Sequence, residues 1–332
     1  MMRYTLPAAL LLTLLPSLAW ANDGIAGVSA GGIVFRKTDA ITMKKEVLNV
    51  SHDLISVDYE FLNASPNAVE ETIVFPLPAY SAASKMNDTY YGQPDRFLIR
   101  VDGKDVGFTT RLIALIDERD VTADLKSAGL SELQIAHNEH FQLQIKVPPL
   151  SAAQHAKLRK LGLIGALDDG EQGPLWRIQV NYIWKQTFPV NKVVRVHHEY
   201  QPFYSAGPGE SYMDKKEFAK TYCSDKTFFD AYEKVVTRKG IRYVDVGKVS
   251  YILKTGNTWK DGIEDFTLNV IKRHPGELIS LCFPGTFTKV DAKRYQVHLL
   301  HFRPADNLEV YFGDPTGRVL SSSEGVMPVL NK

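Results

Sequence analysis

Histidines are the first residues in this sequence whose type could support chemistry, because imidazole binds metal ions and changes charge near neutral pH. Six of them fall in three close pairs: His137 and His140, His197 and His198, and His298 and His301. Side chains one or three residues apart on a strand point to opposite faces, so the last two pairs do not readily share one ion. A turn could bring the first pair together, but a zinc site uses three or four protein ligands. The spacing therefore predicts neither a metal site nor a cofactor.

Two pairs of acidic residues could act as general acid and base: Asp168 with Asp169, and Glu264 with Asp265. Such a pair needs a cleft that raises one of its two pKa values. Both pairs lie in polar, turn-like sequence, which predicts solvated carboxylates. The sequence also lacks the H-E-x-x-H, Walker and dinucleotide-binding motifs. These observations favour a protein without catalytic activity.

Aromatic residues are crowded into one segment, and such side chains can bind a partner or a sugar when they face outward. If they face inward, the same rings build a core. The segment contains Trp176, Tyr182, Trp184, Tyr200 and Tyr204. The candidate binding residues that we select are Trp184, Tyr200, Trp259 and Asp265.

The charge balance excludes one class of partner. The chain has 332 residues, with 39 lysines and arginines against 38 acidic residues. A net charge of +1 gives no excess positive field to attract nucleic acid or anionic lipid. We therefore expect a protein or a component of the cell envelope as partner, and not nucleic acid. The formation of homo-oligomers stays open.

Residues 1–21 have the features of a secretory signal peptide. Arg3 precedes an apolar run from Leu6 to Leu15, and Ala19-Trp20-Ala21 has the small-residue spacing that signal peptidase recognises. The run is too short for a membrane-spanning helix, and no later stretch approaches the roughly 18 apolar residues that such a helix requires. We therefore predict cleavage near Ala21 and a periplasmic or secreted bacterial protein that is not embedded in the membrane.

The two cysteines of the chain, Cys223 and Cys282, predict a disulfide bond. Exported proteins fold in oxidising compartments, and an even cysteine count favours pairing. The alternative is a free Cys223 that acts as a nucleophile, which would need a neighbour that stabilises its thiolate. A bridge would connect the start of a helix near 225–238 to the strand LISLCF.

Alternating apolar residues predict a protein rich in strands. Ile55, Val57, Tyr59 and Phe61 would share one face of a strand, which we expect to form a hairpin with 71–75. The sequence WRIQVNYIWKQTFPVNKVVRVHHEY predicts a second strand and its returning partner. In RFLIRVDGKDVGF, Asp102-Gly103 predicts a tight hairpin turn.

Residues 117–168 change to helical spacing in DVTADLKSAGL and LSAAQHAKLRKLGL, which predicts two short helices. Ser151 is a candidate N-cap, and Gly129 and Gly162 are candidates for the left-handed residue after a helix. We interpret this segment as a helical insertion packed on the β domain. It would either cap a sheet edge or form a lid over a site.

Together these elements predict an all-β fold with helical insertions, arranged as two antiparallel β-sandwich-like domains. The N-terminal β domain would span 22–116 and the C-terminal β domain 169–332, joined near the polar sequence DDGEQGP. The C-terminal domain would carry one helix near 225–238, beginning at Ser224 or Asp225.

The sequence TGNTWKDGIEDFT, at 255–267, combines turn residues with one tryptophan and acidic groups. Strand-like alternation precedes and follows it, and its Gly-Asn and Asp-Gly pairs are turn formers. Its oxygen-bearing residues lack the spacing of a calcium-binding loop. We interpret it as a loop between neighbouring strands, with Trp259 folded over the sheet edge.

Several segments together resemble a known family. They are YIWKQTFP, VHHEYQP, YCSD, YILKTGNTWKDGIEDFTLNVIK, LISLCF and FRPADNLEVYF, with GGIVFRKTDAITMKKEVLNVS and FPLP nearer the N-terminus. Over nearly its whole mature length, the chain resembles the uncharacterised exported bacterial proteins of domain-of-unknown-function family 4424. The resemblance implies export and a β-rich fold, and it maps the tryptophan-rich strands and cysteine pair of the family onto Trp184, Trp259, Cys223 and Cys282. It implies no reaction, and therefore no catalytic residue.

Export, strand-rich sequence and missing catalytic motifs together predict a function. We expect a non-enzymatic binding or scaffold protein that acts through a β-sandwich surface in the periplasm or outside the cell. The alternative is an exported hydrolase whose active site is assembled from distant strands, because spacing along the chain does not exclude such a site.

Overall fold

The computed structural model describes residues 24–29, 32–83, 97–137, 147–167, 170–202, 204–207, 215–240 and 245–314. The predicted signal peptide and its cleavage site lie outside these residues, as do His140, Asp168 and Asp169. No helix within the described ranges is long and apolar enough to cross a membrane.

Strands make up most of the regular structure. In chain order they are β1 (Gly24–Ser29), β2 (Gly32–Phe35), β3 (Ile41–Val50), β4 (Ile55–Asn63), β5 (Val69–Pro76), β6 (Tyr80–Ser81), β7 (Phe97–Val101), β8 (Lys104–Asp105), β9 (Thr109–Ile116), β10 (Arg119–Asp120), β11 (Ile164–Ala166), β12 (Gln172–Pro174), β13 (Arg177–Phe188), β14 (Val193–Tyr200), β15 (Tyr204–Gly207), β16 (Asp245–Tyr251), β17 (Lys260–Ile271), β18 (Leu278–Ser280), β19 (Thr288–Lys289), β20 (Arg294–Phe302) and β21 (Leu308–Asp314). The helices are α1 (Thr122–Ser127), α2 (Glu132–Ala136), α3 (Ala152–Lys160), α4 (Lys215–Tyr222) and α5 (Lys226–Lys239), with a 3-10 helix at Lys254–Thr258. This confirms an all-β fold with helical insertions.

The described strands form two large sheets and two small ones. The seven-stranded sheet has the order β10-β9-β13-β5-β1-β2, with β6 also paired to β13. The eight-stranded sheet has the order β19-β20-β17-β3-β4-β14-β7-β8. A four-stranded sheet has the order β15-β16-β21-β18, and β11 pairs with β12. In the eight-stranded sheet β3 and β17 run parallel, whereas β3 and β4 are antiparallel.

The two large sheets pack face to face around an aromatic core. The rings of Phe97 in β7 and Tyr182 in β13 stack 3.7 Å apart, and the ring of Trp184 lies 5.3 Å from that of His198. Tyr251 of the four-stranded sheet reaches the same core, where its hydroxyl lies 2.8 Å from that of Tyr59. Each large apolar side chain that is fully buried here stabilises the fold by about 1.5–3 kcal/mol relative to exposure. The three sheets therefore share one core.

Two of the predicted hairpins are wrong. β4 pairs with β3 and β14, whereas β5 pairs with β1 and β13 in the opposite sheet. β13 and β14 are likewise in different sheets. Alternation correctly identified the buried faces, but it specifies no neighbour, so a chain that crosses between sheets gives the same pattern as a hairpin.

The side chain of Asn63 fixes the crossover between β4 and β5. Its amide nitrogen donates to the carbonyl oxygens of Asn67 and Phe188, each at 2.8 Å. Its amide oxygen accepts from the backbone nitrogen of Ser65 at 2.9 Å. Asn63 is fully buried, so these bonds replace the water that its polar atoms lose on folding.

The predicted turn at Asp102-Gly103 is confirmed. β7 and β8 pair with Val101 opposite Lys104, and both turn residues have positive φ, 48° and 77°. Two positive φ values in a two-residue loop match the twist of the flanking strands, which is why aspartate and glycine favour this turn.

Three predicted helices are confirmed as α1, α3 and α5. The side chain of Ser151 caps α3, and Asp225 caps α5 by accepting from the backbone nitrogen of Phe228 at 2.9 Å. Gly129 and Gly162 take the left-handed conformation after α1 and α3. The sequence interpretation missed α2 and α4, because both are too short to show clear periodicity.

The inserted helices pack on the seven-stranded sheet beside β9 and β10. Leu125, Ile135 and Leu158 are fully buried. The indole nitrogen of Trp176 donates to the carbonyl oxygen of Ile135 at 2.9 Å, and the hydroxyl of Tyr80 donates to that of Ala136 at 3.1 Å. These contacts join the helices to the strands on both sides of the insertion.

The predicted domain boundaries, 22–116 and 169–332, do not coincide with separate sheets. β13 lies between β5 and β9, and β14 lies between β4 and β7. Strands from both proposed segments therefore alternate within each large sheet. The domain boundaries stay a prediction. Within the described residues, the two segments are hydrogen-bonded to each other in both large sheets.

The predicted disulfide is confirmed. Cys223 and Cys282 are bonded, with their Cα atoms 5.0 Å apart. Beside the bridge, the hydroxyls of Ser224 and Ser280 lie 2.7 Å apart. The bridge therefore attaches the chain between α4 and α5 to the segment that follows β18.

The interpretation of 255–267 as a loop between neighbouring strands is wrong. Its first residues belong to the 3-10 helix Lys254–Thr258, and its last belong to β17. β16 and β17 are in different sheets. Trp259 is 2% exposed and lies in the core, with its ring 4.4 Å from that of Phe61. The acidic groups are therefore the outward-facing residues of a strand.

Candidate functional site

The selected binding residues occupy two environments. Trp184, Tyr200 and Trp259 are 4%, 3% and 2% exposed, so their rings belong to the core. Asp265 is on the outer face of β17, where its carboxylate lies 2.9 Å from Nε2 of His298. We therefore do not include the three buried rings in the candidate site.

Among the buried residues, Trp184 has an indole nitrogen and Tyr200 a hydroxyl without a hydrogen-bond partner within the described residues. Burial raises the pKa of Tyr200 well above its ordinary value, and the nearby Tyr182 adds to this. The hydroxyl of Tyr200 is therefore neutral and desolvated. Tyr251 differs, because its hydroxyl also donates to Glu46 at 3.4 Å.

The outer face of the eight-stranded sheet carries the candidate site, a groove of about 620 Å³. Four adjacent strands, β3, β4, β14 and β7, provide its walls. The charged side chains that line it are Lys45, Asp58, Glu60, Arg100, Arg195, His197 and Glu199. We call it the charged groove.

Strand alternation brings these side chains to one face. In β4, Asp58 and Glu60 alternate with core residues, and in β14 Arg195, His197 and Glu199 do the same. The register places Asp58 opposite His197 and Glu60 opposite Arg195. A β-bulge between Met43 and Lys45 sets Lys45 opposite Glu60 on the other side. The fold therefore gathers charges that are far apart in sequence.

His197 lies between two carboxylates. Its Nδ1 is 2.7 Å from Oδ1 of Asp58, and its Nε2 is 3.1 Å from Oε1 of Glu199. The hydrogen bond to Asp58 raises the pKa of His197; partial burial opposes this, and Glu199 adds to the rise. The imidazole is therefore held in a fixed orientation, and its cationic form is favoured.

The two arginines of the groove are held by their Nε atoms. Nε of Arg195 donates to Glu60 at 3.1 Å, and Nε of Arg100 donates to Asp105 at 3.0 Å. The backbone nitrogen of Arg195 also donates to Asp102 at 3.0 Å. These bonds fix the orientation of both side chains.

A row of amide side chains continues the same outer face toward β20. Gln296 donates to Asn269 at 2.9 Å, Asn269 donates to Asn49 at 2.9 Å, and Asn49 donates to Ser56 at 3.2 Å. Ser56 is paired in register with Glu199, so the row ends beside the groove. It links four strands, and we infer that it keeps this part of the sheet in register.

The described lining of the groove contains no serine, threonine or cysteine. It has carboxylates and an imidazole, but its one hydroxyl group belongs to Tyr59 and is bonded to Tyr251 in the core. Nucleophilic catalysis by a hydroxyl or thiol group needs a serine, threonine or cysteine next to a base. Within the described ranges, no group of three or more His, Cys, Asp or Glu side chains is arranged to hold a metal ion.

A second cluster of ionisable residues lies where β3 turns into β4. Nε2 of His52 is 2.9 Å from Oε1 of Glu277, and both side chains are fully buried. Arg273 pairs with Asp53 on the surface beside them. The cluster joins this turn to the segment before β18, and its central pair is closed off from solvent.

The sequence correctly predicted that His197 and His198 point to opposite faces of their strand, since His197 faces the groove and His198 faces the core. It missed the groove itself. The available signal was the charged residues alternating with apolar ones in SVDYEF and VVRVHHEY. That signal did not reveal that these two strands are neighbours.

The fold and the sequence assign the chain to a class of β-rich proteins without a known reaction. The family described as Domain of unknown function (DUF4424) matches residues 21–311. The chain belongs to this family. No curated protein matches the sequence.

Solved structures show distant similarity. A "putative nutrient binding protein" from Legionella pneumophila is 18% identical with a TM-score of 0.41, over 88% of this chain and 71% of that one. The LTA4 hydrolase of yeast is 8% identical with a TM-score of 0.30, over 83% of this chain and 29% of that one. An M1 zinc metallopeptidase of Deinococcus radiodurans is 8% identical with a TM-score of 0.29, over 84% of this chain and 44% of that one. All three TM-scores are low, so no functional argument rests on them.

Proposed function

We propose that this protein is exported and acts without catalysis, as a binding protein whose charged groove holds the ligand. The observation that carries the proposal is the convergence of seven charged or titratable side chains from four adjacent strands in one groove. Such side chains on a solvent-facing sheet usually form separate cross-strand pairs. Here two such pairs, Asp58 with His197 and Glu60 with Arg195, lie side by side and line one groove together with Lys45 and Arg100.

Two features support export. The disulfide between Cys223 and Cys282 is of the kind that persists in oxidising compartments. The N-terminal sequence has the charged, apolar and small-residue regions of a signal peptide. The compartment that we propose is the periplasm or the exterior of the cell, with cleavage near Ala21.

The test uses the mature protein and fractionated small molecules from the cell envelope. The groove variant combines Arg195→Gln with His197→Gln. The matched control combines Arg303→Gln with His298→Gln, an arginine and a histidine that lie outside the groove and also pair with carboxylates. We expect one fraction to raise the melting temperature of the wild type and the control, but not that of the groove variant.

Two results would contradict the proposal. In one, no fraction changes the melting temperature, or the groove variant responds as the wild type does. In the other, the protein turns over ester, peptide or glycoside substrates, and the groove variant has lost that activity. The second result would support the exported hydrolase instead.

A further inference from the structure

The hydrogen bonds within the charged groove divide its groups into two kinds. The carboxylates are engaged: Glu60 accepts from Arg195, while Asp58 and Glu199 both contact His197. Each of these carboxylates therefore already contacts a donor group within the groove.

The cationic groups of the groove keep open donors. Lys45 forms no ion pair with any described residue, and the terminal nitrogens of Arg100 and Arg195 form no hydrogen bond to the described part of the chain. Each guanidinium is held at Nε and leaves its two-nitrogen end available. Three cationic donors from β3, β7 and β14 therefore border the same space.

We propose that the ligand of the charged groove is a small organic anion, carrying a carboxylate or a phosphate, bound by Arg100, Arg195 and Lys45. This inference rests on the proposed function and names its ligand class. The planar end of a guanidinium presents two parallel N–H groups that match the two oxygens of a carboxylate or phosphate. Lysine adds a point charge that is less selective in direction.

His197 gives the site a pH dependence. The groups around it are Asp58 on β4, Glu199 on its own strand and Arg100 opposite it on β7, with Lys45, Glu60 and Arg195 lining the same groove. Proton binding by His197 adds one positive charge beside the arginines. Anion binding therefore tightens as the pH falls through the pKa of His197, which the Asp58 hydrogen bond raises.

The experiment is a calorimetric titration of the mature protein with three probes: succinate, inorganic phosphate and the neutral diamide succinamide. We expect at least one anion to bind and succinamide not to bind. Arg195→Gln should weaken anion binding by about ten-fold to a hundred-fold, since it removes a hydrogen bond to a charged group. Arg195→Lys should give a smaller loss, because the positive charge stays while the two parallel N–H groups are removed. Arg303→Gln should leave binding unchanged, and each variant must keep the wild-type melting temperature.

The outcomes separate this inference from the proposed function. If succinamide binds as tightly as succinate, or if neither anion binds, the anion class is overturned. The envelope-fraction experiment then decides separately whether the groove holds another ligand. If an anion binds but Arg195→Gln and Arg303→Gln weaken it equally, the assigned residues are wrong. Succinate without phosphate would place the ligand among carboxylates, and the reverse would place it among phosphates.

Discussion

Nδ1 of His197 lies 2.7 Å from Oδ1 of Asp58, across the ladder between β14 and β4. The pair is in the wall of the charged groove, and Glu199 holds the other ring nitrogen. One imidazole therefore connects two carboxylates on adjacent strands. Because protonation of this imidazole changes the charge of the groove, we expect both the stability of the fold and ligand binding to depend on pH.

The first prediction concerns the pH dependence of stability. The pKa of His197 is raised in the folded protein, so the folded state binds its proton more tightly than the unfolded chain does. This stabilisation is fully present below the ordinary histidine pKa of about 6.5, and it is lost as the pH rises through the folded value. In urea unfolding, the free-energy difference between wild type and His197→Gln should shrink with rising pH over this window. A difference that stays constant or grows would contradict the assignment.

The second prediction compares two buried tyrosines. Tyr200→Phe removes a hydroxyl that has no partner among the described residues, so stability should be unchanged or higher. Tyr251→Phe removes the hydroxyl that bonds the hydroxyl of Tyr59 and the carboxylate of Glu46, and it should cost about 1–3 kcal/mol. Urea midpoints at constant m-value measure both. A large loss for Tyr200→Phe would show that its hydroxyl has a partner in solution.

The third prediction concerns the disulfide between Cys223 and Cys282, which are 59 residues apart. A bridge that closes a loop of this length lowers the entropy of the unfolded chain by an amount worth about 4 kcal/mol. The double variant Cys223→Ser/Cys282→Ser should be less stable by up to this amount. Dithiothreitol should destabilise the wild type and have no effect on the variant. Equal sensitivity of both proteins would refute the bridge.

The fourth prediction compares two glycines with nearly the same φ. Gly103 and Gly262 have φ values of 77° and 78°. A Cβ on Gly103 would meet no atom within 4 Å, whereas one on Gly262 would lie 2.8 Å from the carbonyl oxygen of Phe302. Alanine should therefore cost about 1 kcal/mol at Gly103, from backbone strain alone. At Gly262 it should cost more, because the clash is with backbone. Equal losses in the urea midpoint would contradict the close approach of Gly262 to the backbone of Phe302.

Local features of the fold could be predicted from the sequence because their causes are local. The Asp102-Gly103 turn depends on two residues, and the ends of α1 and α3 depend on Gly129 and Gly162. The disulfide followed from the presence of two cysteines in an exported chain.

Strand neighbours could not be predicted, because alternation records only which side chains are buried. β4 and β5 look like a hairpin in sequence, yet Asn63 directs the chain from one sheet to the other. Trp259 looked like a residue at a sheet edge for the same reason. The charged groove was missed because its walls come from strands whose pairing is long-range, with Asp58 opposite His197.

The most direct test of the proposed site is the protection of His197 from chemical modification. Mature protein is treated with diethylpyrocarbonate at neutral pH, with and without the envelope fraction or anion that binds, and each histidine is followed by peptide mass analysis. His298 is the internal control, since it lies on the outer face of the same sheet and also pairs with an aspartate. The proposal predicts that ligand slows modification of His197 several-fold and leaves His298 unchanged. Equal rates at His197 with and without ligand would contradict it.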